Sequence, residues 1–401
     1  LTFASSTDIF SVLCDDLVCS TAADIKIVED GPDSDTFIAV FTVTDDIGED
    51  MEVDYRDSRD GSGTAVSWFA TSTIGATSGS ISLDRVVYPV PFDENEMKTG
   101  ANANLANWDT ATGTDDGDVT VWISVTDADY TDDQIIDSAN TLVTVNLISG
   151  TTTCPIRTAG ADIASGIELG PLNETSQGSG VYEVSFTLDE TELAATTGCA
   201  ANFQVIGGDT VMQVKYSDQN SDTGLAASSF DSATFELSTG SLTTDKSVYV
   251  MGQDMVITLT DADLNLNSDS AETYTLDLIE WDSSADPSES LANSDFTANP
   301  TALEETGDNT GVFQTVVTIP TSVNSTALEL GEEITLTYRD AGRAGESRVA
   351  AQATDDTTSA DVELSIAISN FGANISLDKT VYDWTDTVNI EVVAPDHNKN
   401  S

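Results

Sequence analysis

Histidine is almost missing from this chain: His397 is the only one in 401 residues. That removes Ser-His-Asp and Cys-His arrangements as working chemistry, and His397 occupies a repeat position that is Leu264 one copy earlier, which suits a solvent-facing loop. Gly-rich phosphate loops, zinc motifs and Cys-x-x-Cys spacings are absent as well. No run of 18 apolar residues is long enough to cross a membrane, and no convincing amphipathic helix is found. Basic residues are scarce, 13 against 70 acidic ones, for a formal charge of −57. Nucleic acid is therefore excluded as a partner, because phosphate neutralisation needs Lys and Arg clusters. The same charge opposes direct membrane contact by this segment unless cations bridge it to anionic lipid. With so many acids, any single carboxylate pair reads as solvated surface rather than a glycosidase site. The expectation is a protein that is not an enzyme.

What the chain does have is a sentence written three times: Gly79-Ser-Ile-Ser-Leu-Asp-Arg-Val-Val-Tyr88, Gly240-Ser-Leu-Thr-Thr-Asp-Lys-Ser-Val-Tyr249 and Ala373-Asn-Ile-Ser-Leu-Asp-Lys-Thr-Val-Tyr382. The tyrosines lie 161 and 133 residues apart, which suits one sandwich-sized domain plus insertions. Other phrases recur in step. Glu29, Glu174 and Glu305 each stand eight residues before an aromatic that opens an apolar strand, and Tyr-x-Asp ends a strand at Asp57, Asp218 and Asp340. Period-2 alternation in Val119–Val125, Thr141–Leu147 and Val362–Ile368 predicts strands throughout. The expected class is all-β: a tandem array of Greek-key β-sandwich domains at 78–238 and 239–371, with partial copies at 1–77 and 372–401. The chain starts at Leu1 without a methionine and stops inside a copy, as a piece of a longer protein would. Copy one carries an insertion near 91–117 with Trp108 and the helix-compatible run Glu94–Lys98, a surface for lateral contact or a decorative loop. Linkers are short, so the domains are expected to be coupled end to end. The five tryptophans share no repeat position and read as core or interface anchors.

Acidic residues recur at strand ends. Asp261, Asp263 and Asn265 follow one strand, Glu305 precedes another and Asp340 ends a third; in a Greek key these three places meet at one pole. Copy one repeats the set with Asp127, Asp129, Glu174 and Asp218, and the last copy keeps Asp396 and Asn398. Two readings stand open: calcium, which takes six to eight hard oxygens, or strand-capping and turn-forming acids. Calcium is the metal this ligand set predicts.

Four cysteines, Cys14, Cys19, Cys154 and Cys199, predict two disulfides in an extracellular setting. Topology favours Cys154 with Cys199, at the same end of one domain, leaving Cys14 with Cys19, unless other partners lie outside this sequence. The sequons at Asn173, Asn324 and Asn374 are expected glycosylation sites of an exported protein.

Ser82-Leu-Asp-Arg-Val-Val-Tyr-Pro-Val-Pro-Phe92, Asp261-Ala-Asp-Leu-Asn265 and Glu305-Thr-Gly-Asp-Asn-Thr-Gly-Val-Phe313 resemble the tandem Ig-like surface-layer proteins of ammonia-oxidising (thaumarchaeal) archaea. The resemblance runs through the repeats over essentially the whole chain. It implies Ig-like domains in an extracellular structural protein that self-associates into a two-dimensional lattice on the cell surface, with negatively charged pores that favour cations such as ammonium. Calcium at the domain ends would stiffen such a lattice. The other reading is a calcium-stiffened adhesin stalk, a cell-surface binding module.

Overall fold

The structure, a computed structural model, describes residues 2–4, 10–14, 26–32, 34–39, 50–92, 117–130, 134–135, 142–158, 169–188, 206–208, 210–284, 289–340, 344–345 and 360–397. It is all-β, with three short 3-10 turns as the only helical elements among those residues.

The first strands are β1 (Thr2–Ala4), β2 (Phe10–Cys14), β3 (Lys26–Glu29), β4 (Phe37–Ile38), β5 (Asp50–Asp57) and β6 (Val66–Thr73). They form two small sheets, ordered β1-β3-β4 and β2-β5-β6. A complete sandwich follows, built from β7 (Ser80–Leu83), β8 (Val87–Pro89), β9 (Val119–Thr126), β10 (Gln134–Ile135), β11 (Val143–Ser149), β12 (Thr152–Thr158), β13 (Leu172–Glu174), β14 (Val181–Leu188), β15 (Val211–Asp218) and β16 (Ala227–Glu236). Its sheets are ordered β10-β13-β14-β9-β7 and β12-β11-β15-β16-β8.

The second sandwich repeats the plan with β17 (Ser241–Thr244), β18 (Val248–Tyr249), β19 (Asp254–Thr260), β20 (Thr273–Tyr274), β21 (Ile279–Asp282), β22 (Glu289–Ser290), β23 (Thr297–Ala298), β24 (Leu303–Glu305), β25 (Val312–Thr318), β26 (Ser322–Val323), β27 (Thr326–Ala327), β28 (Glu333–Asp340) and β29 (Ala360–Ile368). The sheets run β20-β24-β25-β19-β17, with β23 also on β25, and β22-β21-β28-β29-β18. A hairpin of β30 (Asn374–Leu377) and β31 (Ile390–Val393) begins the next copy.

In both sandwiches the first strand changes sheets. β7 pairs antiparallel with β9, and β8 then pairs parallel with β16 in the opposite sheet. β17 and β18 do the same with β19 and β29. This split first strand, with the remaining strands divided between two sheets, is the immunoglobulin-type Greek key. The repeated sentence is the switching corner. Tyr249 Oη donates to Asp245 Oδ1 at 2.6 Å, and that oxygen also accepts the Val256 amide of β19 at 3.0 Å. Asp84 accepts both Tyr88 Oη and the Trp122 amide, and Asp378 accepts Tyr382 Oη at 2.5 Å and the Asn389 amide at 3.1 Å. The cation after each Asp lies over the tyrosine ring, at 5.9 Å for Arg85, 5.6 Å for Lys246 and 5.8 Å for Lys379. Leu-Asp-Lys-x-x-Tyr is thus conformational grammar: the acid anchors the neighbouring strand while the tyrosine enters the core.

Core filling follows the alternation. Val119, Val121, Ile123 and Val125 are buried while the residues between them are only half so, and Met255, Ile257 and Leu259 repeat the pattern in β19. Trp281 is buried on β21, and Trp122 meets the neighbouring sandwich. Trp68 on β6 and Trp384 in the turn between β30 and β31 are 63% and 99% exposed, so neither anchors a core within the chain. Trp108 and the insertion segment 93–116 lie outside those residues.

Candidate functional site: the acidic poles and the joint

At the second pole the acids arrive as the sequence predicts, and each is buried: Asp261, Asp263, Asn265, Glu305 and Asp340. Their oxygens are committed to protein donors. Asp261 opens a 3-10 turn at Ala262–Leu264, taking the Asp263 amide on Oδ1 at 2.8 Å and Tyr338 Oη on Oδ2 at 2.6 Å. Asp340 Oδ2 accepts the Gly240 amide at 2.7 Å. Both Asp263 oxygens lie 3.0 Å from the Ser238 amide. Glu305 Oε1 gathers the Thr310 and Gly311 amides at 2.6 and 2.7 Å, and Oε2 takes the Glu272 amide at 3.2 Å.

Two glycines serve this arrangement. A Cβ on Gly240 would stand 2.7 Å from Tyr338 Cε1, and Gly311 turns at φ +60 against the Asp261 carbonyl.

The first pole has the same wiring. Tyr216 Oη donates to Asp127 Oδ2 at 2.6 Å, the Asp129 amide to Asp127 Oδ1 at 2.9 Å and the Gly79 amide to Asp218 Oδ2 at 2.9 Å. Glu174 accepts the Gly178 and Gly180 amides at 3.0 and 2.9 Å, and Asp129 accepts the Thr77 amide.

The calcium expectation rested on three loops delivering oxygens to one pole. The loops do converge, but the carboxylates turn onto amides and a tyrosine, and among the described residues no three of His, Cys, Asp or Glu are grouped to hold a metal ion. Capping gives the recurrence an account of its own, since each acid pairs a backbone donor that burial would otherwise leave unsatisfied.

Gathering acids in a dry place shifts their titration. Burial pushes Asp261 up, and the neighbouring Asp340 adds to it, against the pull of Tyr338 and the Asp263 amide. Glu272 is raised to about 8 by burial and by its hydrogen bond with Glu305. For Glu305, burial acts upward but the bonds from Glu272, Gly311 and Thr310 outweigh it and leave it below its usual value. Glu272 is therefore the member of that pair that carries the proton at neutral pH.

The loop that starts at Asp261 goes on to clamp the first sandwich. Arg85 Nη1 donates to the Asn265 carbonyl at 2.6 Å and Nη2 to Asn265 Oδ1 at 3.0 Å. Trp122 Nε1 reaches Asn267 Oδ1 at 3.2 Å, and Ser268 Oγ reaches Asp84 Oδ2 at 2.5 Å. The Thr120 amide donates to the Leu266 carbonyl at 2.9 Å, so the loop extends the edge of β9 by one backbone bond. Together with Asp263 on Ser238, these contacts grip the first sandwich and the linker at once. Two clefts of about 420 Å³ flank the joint, one walled by Arg85, Pro89, Glu236 and Asn309, the other by Trp122, Glu183 and Asp269.

Sequence reasoning selected Asn265, Asp127 and Asp261 but missed their working partners Arg85, Tyr216 and Tyr338, and missed Asp84, which accepts Ser268 across the joint. The signal was present, because all four fall inside the recurring phrases. Among the remaining positions, Asp396 lies in the 3-10 turn Pro395–His397, its side chain undescribed, and Asn398 lies outside the described residues. His397 is exposed. Cys154 is buried on β12 and disulfide-bonded. Its expected partner Cys199 lies outside the described residues, as does Cys19, while only the backbone of Cys14 is described. Of the sequons, Asn173 accepts Gln134 Nε2 at 2.6 Å, Asn324 sits at φ 46 in the β26–β27 turn with Nδ2 on Glu289 at 2.6 Å, and Asn374 is exposed on β30.

Fold and joint together define a tandem array of Ig-like β-sandwiches with a built-in coupling between neighbours. No family model and no curated protein matches the chain. Among solved structures it is similar to FdeC, a broadly conserved Escherichia coli adhesin, at 14% identity over 81% of this chain and 75% of that chain with a TM-score of 0.21. It is also similar to E. coli alpha-2-macroglobulin in its native conformation, at 11% identity over 88% of this chain and 19% of that one with a TM-score of 0.18. At these scores neither likeness bears on what the chain does.

Proposed function

We propose that this chain is a structural segment of an extracellular surface layer, in which Ig-like sandwiches held at fixed mutual orientation tile the cell exterior. The observation that carries this reading is the joint. Arg85, Trp122, Asp84 and Thr120 on one sandwich are matched by Asn265, Asn267, Ser268 and Leu266 on the next, which is more than a flexible tether requires. A lattice needs its units to keep their angles, and a joint with polar contacts to both the body and the linker supplies that. The charge of −57 supports a second element of the reading: passages in such a sheet would favour cations such as ammonium over anions, at distances comparable to the screening length. The protein works by shape and charge rather than by catalysis. Electron cryotomography of the native envelope with an antibody to residues 241–368 tests this. Label on a periodic sheet is expected, and label confined to isolated fibres or to the cell interior would overturn it.

A further inference from the structure

In a chain with 70 acidic residues, one broad sheet face carries none at its centre. It is the outer side of β12-β11-β15-β16 in the first sandwich. Alternation turns Met212, Val214 and Tyr216 into the core and sends Gln213 and Lys215 away from it. Register then sets Thr144, Lys215 and Phe230 in one row across three strands, and Asn146, Gln213 and Ser232 in the next. Phe230 is 55% exposed. Lys215 is half-buried, and its ammonium group makes no ion pair among the described residues.

The second sandwich builds the same sheet with the opposite chemistry. Tyr338 and Asp340 hold the places of Tyr216 and Asp218, so Thr337 holds that of Lys215. The matching rows read Glu280, Thr337 and Glu363, then Asp282, Thr335 and Ser365. Three of these side chains are carboxylates and none is a cation, and Asp282 and Glu363 are exposed. Phe230 thus stands in one sandwich where Glu363 stands in the other. An uncharged face with one lysine corresponds, position by position, to an acidic one.

We infer that these two faces form a contact between copies: the face around Lys215 and Phe230 takes the face around Glu280 and Glu363 of a second copy of this chain. The inference rests on the reading of the chain as a self-associating layer, and it names the surface by which copies meet. Chains of charge −57 repel one another, so they approach closely only where the repulsion is locally absent or reversed. The first face meets that condition, and the second supplies carboxylates to the Lys215 ammonium. Outer faces of the same sheet type share pleat and twist, so they stack as the sheets of a sandwich do, about 10 Å apart. Phe230 then loses the water over its ring, while the Asn146 and Gln213 amides offer donors to Asp282. Each copy has one face of either kind, so each holds a neighbour on both.

Sedimentation of the purified 401-residue chain at physiological ionic strength tests the contact. Self-association that weakens as salt is raised is expected. Lys215→Glu and Glu363→Lys should each weaken it about tenfold or more, because each sets like charges against one another. Phe230→Ala should weaken it about tenfold as well. Mixing the two charge variants should restore pairing, since the first keeps the acidic face intact and the second keeps the lysine face. Charge variants that associate as the parent does overturn the inference, and so does a parent that stays monomeric at every concentration. Either result leaves the surface-layer reading to the tomograms, where periodic label does not depend on which faces meet.

Discussion

The two poles use the same side chains in the same hydrogen bonds but sit at different depths. Asp127 and Asp218 are each 4% exposed and Glu174 is half-buried, whereas Asp261 and Asp340 are at 1% and 0% and Glu305 at 7%. The acids are equivalent, so the difference comes from what covers them. The second pole has a whole sandwich seated on it through Arg85 and Trp122, and its loop brings in Glu272 to cap Asn267 at 2.6 Å. A hydrogen-bonded strand end thus becomes a joint when a neighbour excludes its water. The accompanying charge is managed by leaving a proton on Glu272 and by importing one cation, Arg85.

The largest expected effect separates core from pole. Trp281→Ala empties the centre of the second sandwich and should cost about 3–5 kcal/mol. Because the two sandwiches share no sheet, calorimetry should show one transition lowered and the other nearly unmoved. Trp281→Phe should cost far less than its area suggests, since the indole Nε1 finds no acceptor among the described residues. A single merged transition would show that the joint couples the sandwiches into one cooperative unit.

Next come the tyrosines that brace the poles. Tyr338→Phe strips a donor from a fully buried carboxyl and should cost about 2 kcal/mol, while Tyr216→Phe at the shallower pole should cost about 1 kcal/mol. Denaturant melts measure both. If the acids act as caps, each loss is the same with calcium and with chelator; losses seen only with calcium would return the poles to the metal reading.

The smallest effect is in pH. Glu272 titrates near 4.5 unfolded and at about 8 folded, and Asp261 is also raised, so over that window the native state holds protons that the unfolded chain has lost. Stability from these groups is fully present below pH 4.5 and drains away as pH climbs through 8. Glu305, lowered in the fold, acts the opposite way at the acid end, below its own usual range. Melting of the second sandwich should therefore fall by a few degrees between pH 6 and pH 9, and Glu272→Gln should flatten the slope. A slope that survives Glu272→Gln would place the titrating group elsewhere.

Much of this was legible in the sequence. Alternation such as Val119 to Val125 sets the strands, and the recurrence of Glu305 and Asp340 places them at a common pole. What those acids bond to was not legible. A carboxylate's partners here are backbone amides, which leave no mark on a sequence, so Asp-x-Asp reads alike whether it binds an ion or caps a turn. The joint was hidden for a related reason: Arg85 and Asn265 lie 180 residues apart, and only folding brings them within 3 Å. The exposed Trp68 and Trp384 show the opposite limit, because burial belongs to the assembly of sheets and not to the residue type.

The cage around Gly240 also carries a history. A methyl group there would press on Tyr338 Cε1 at 2.7 Å and on Asp261 Oδ2 at 2.9 Å, so alanine at 240 would force the ring and the carboxylate to shift. In the following copy the same two positions are Ala373 and Ala394. The two changes occur together. Losing the carboxylate removes the part of the wall that Asp261 Oδ2 forms, so a methyl at this position meets one obstacle fewer in the following copy.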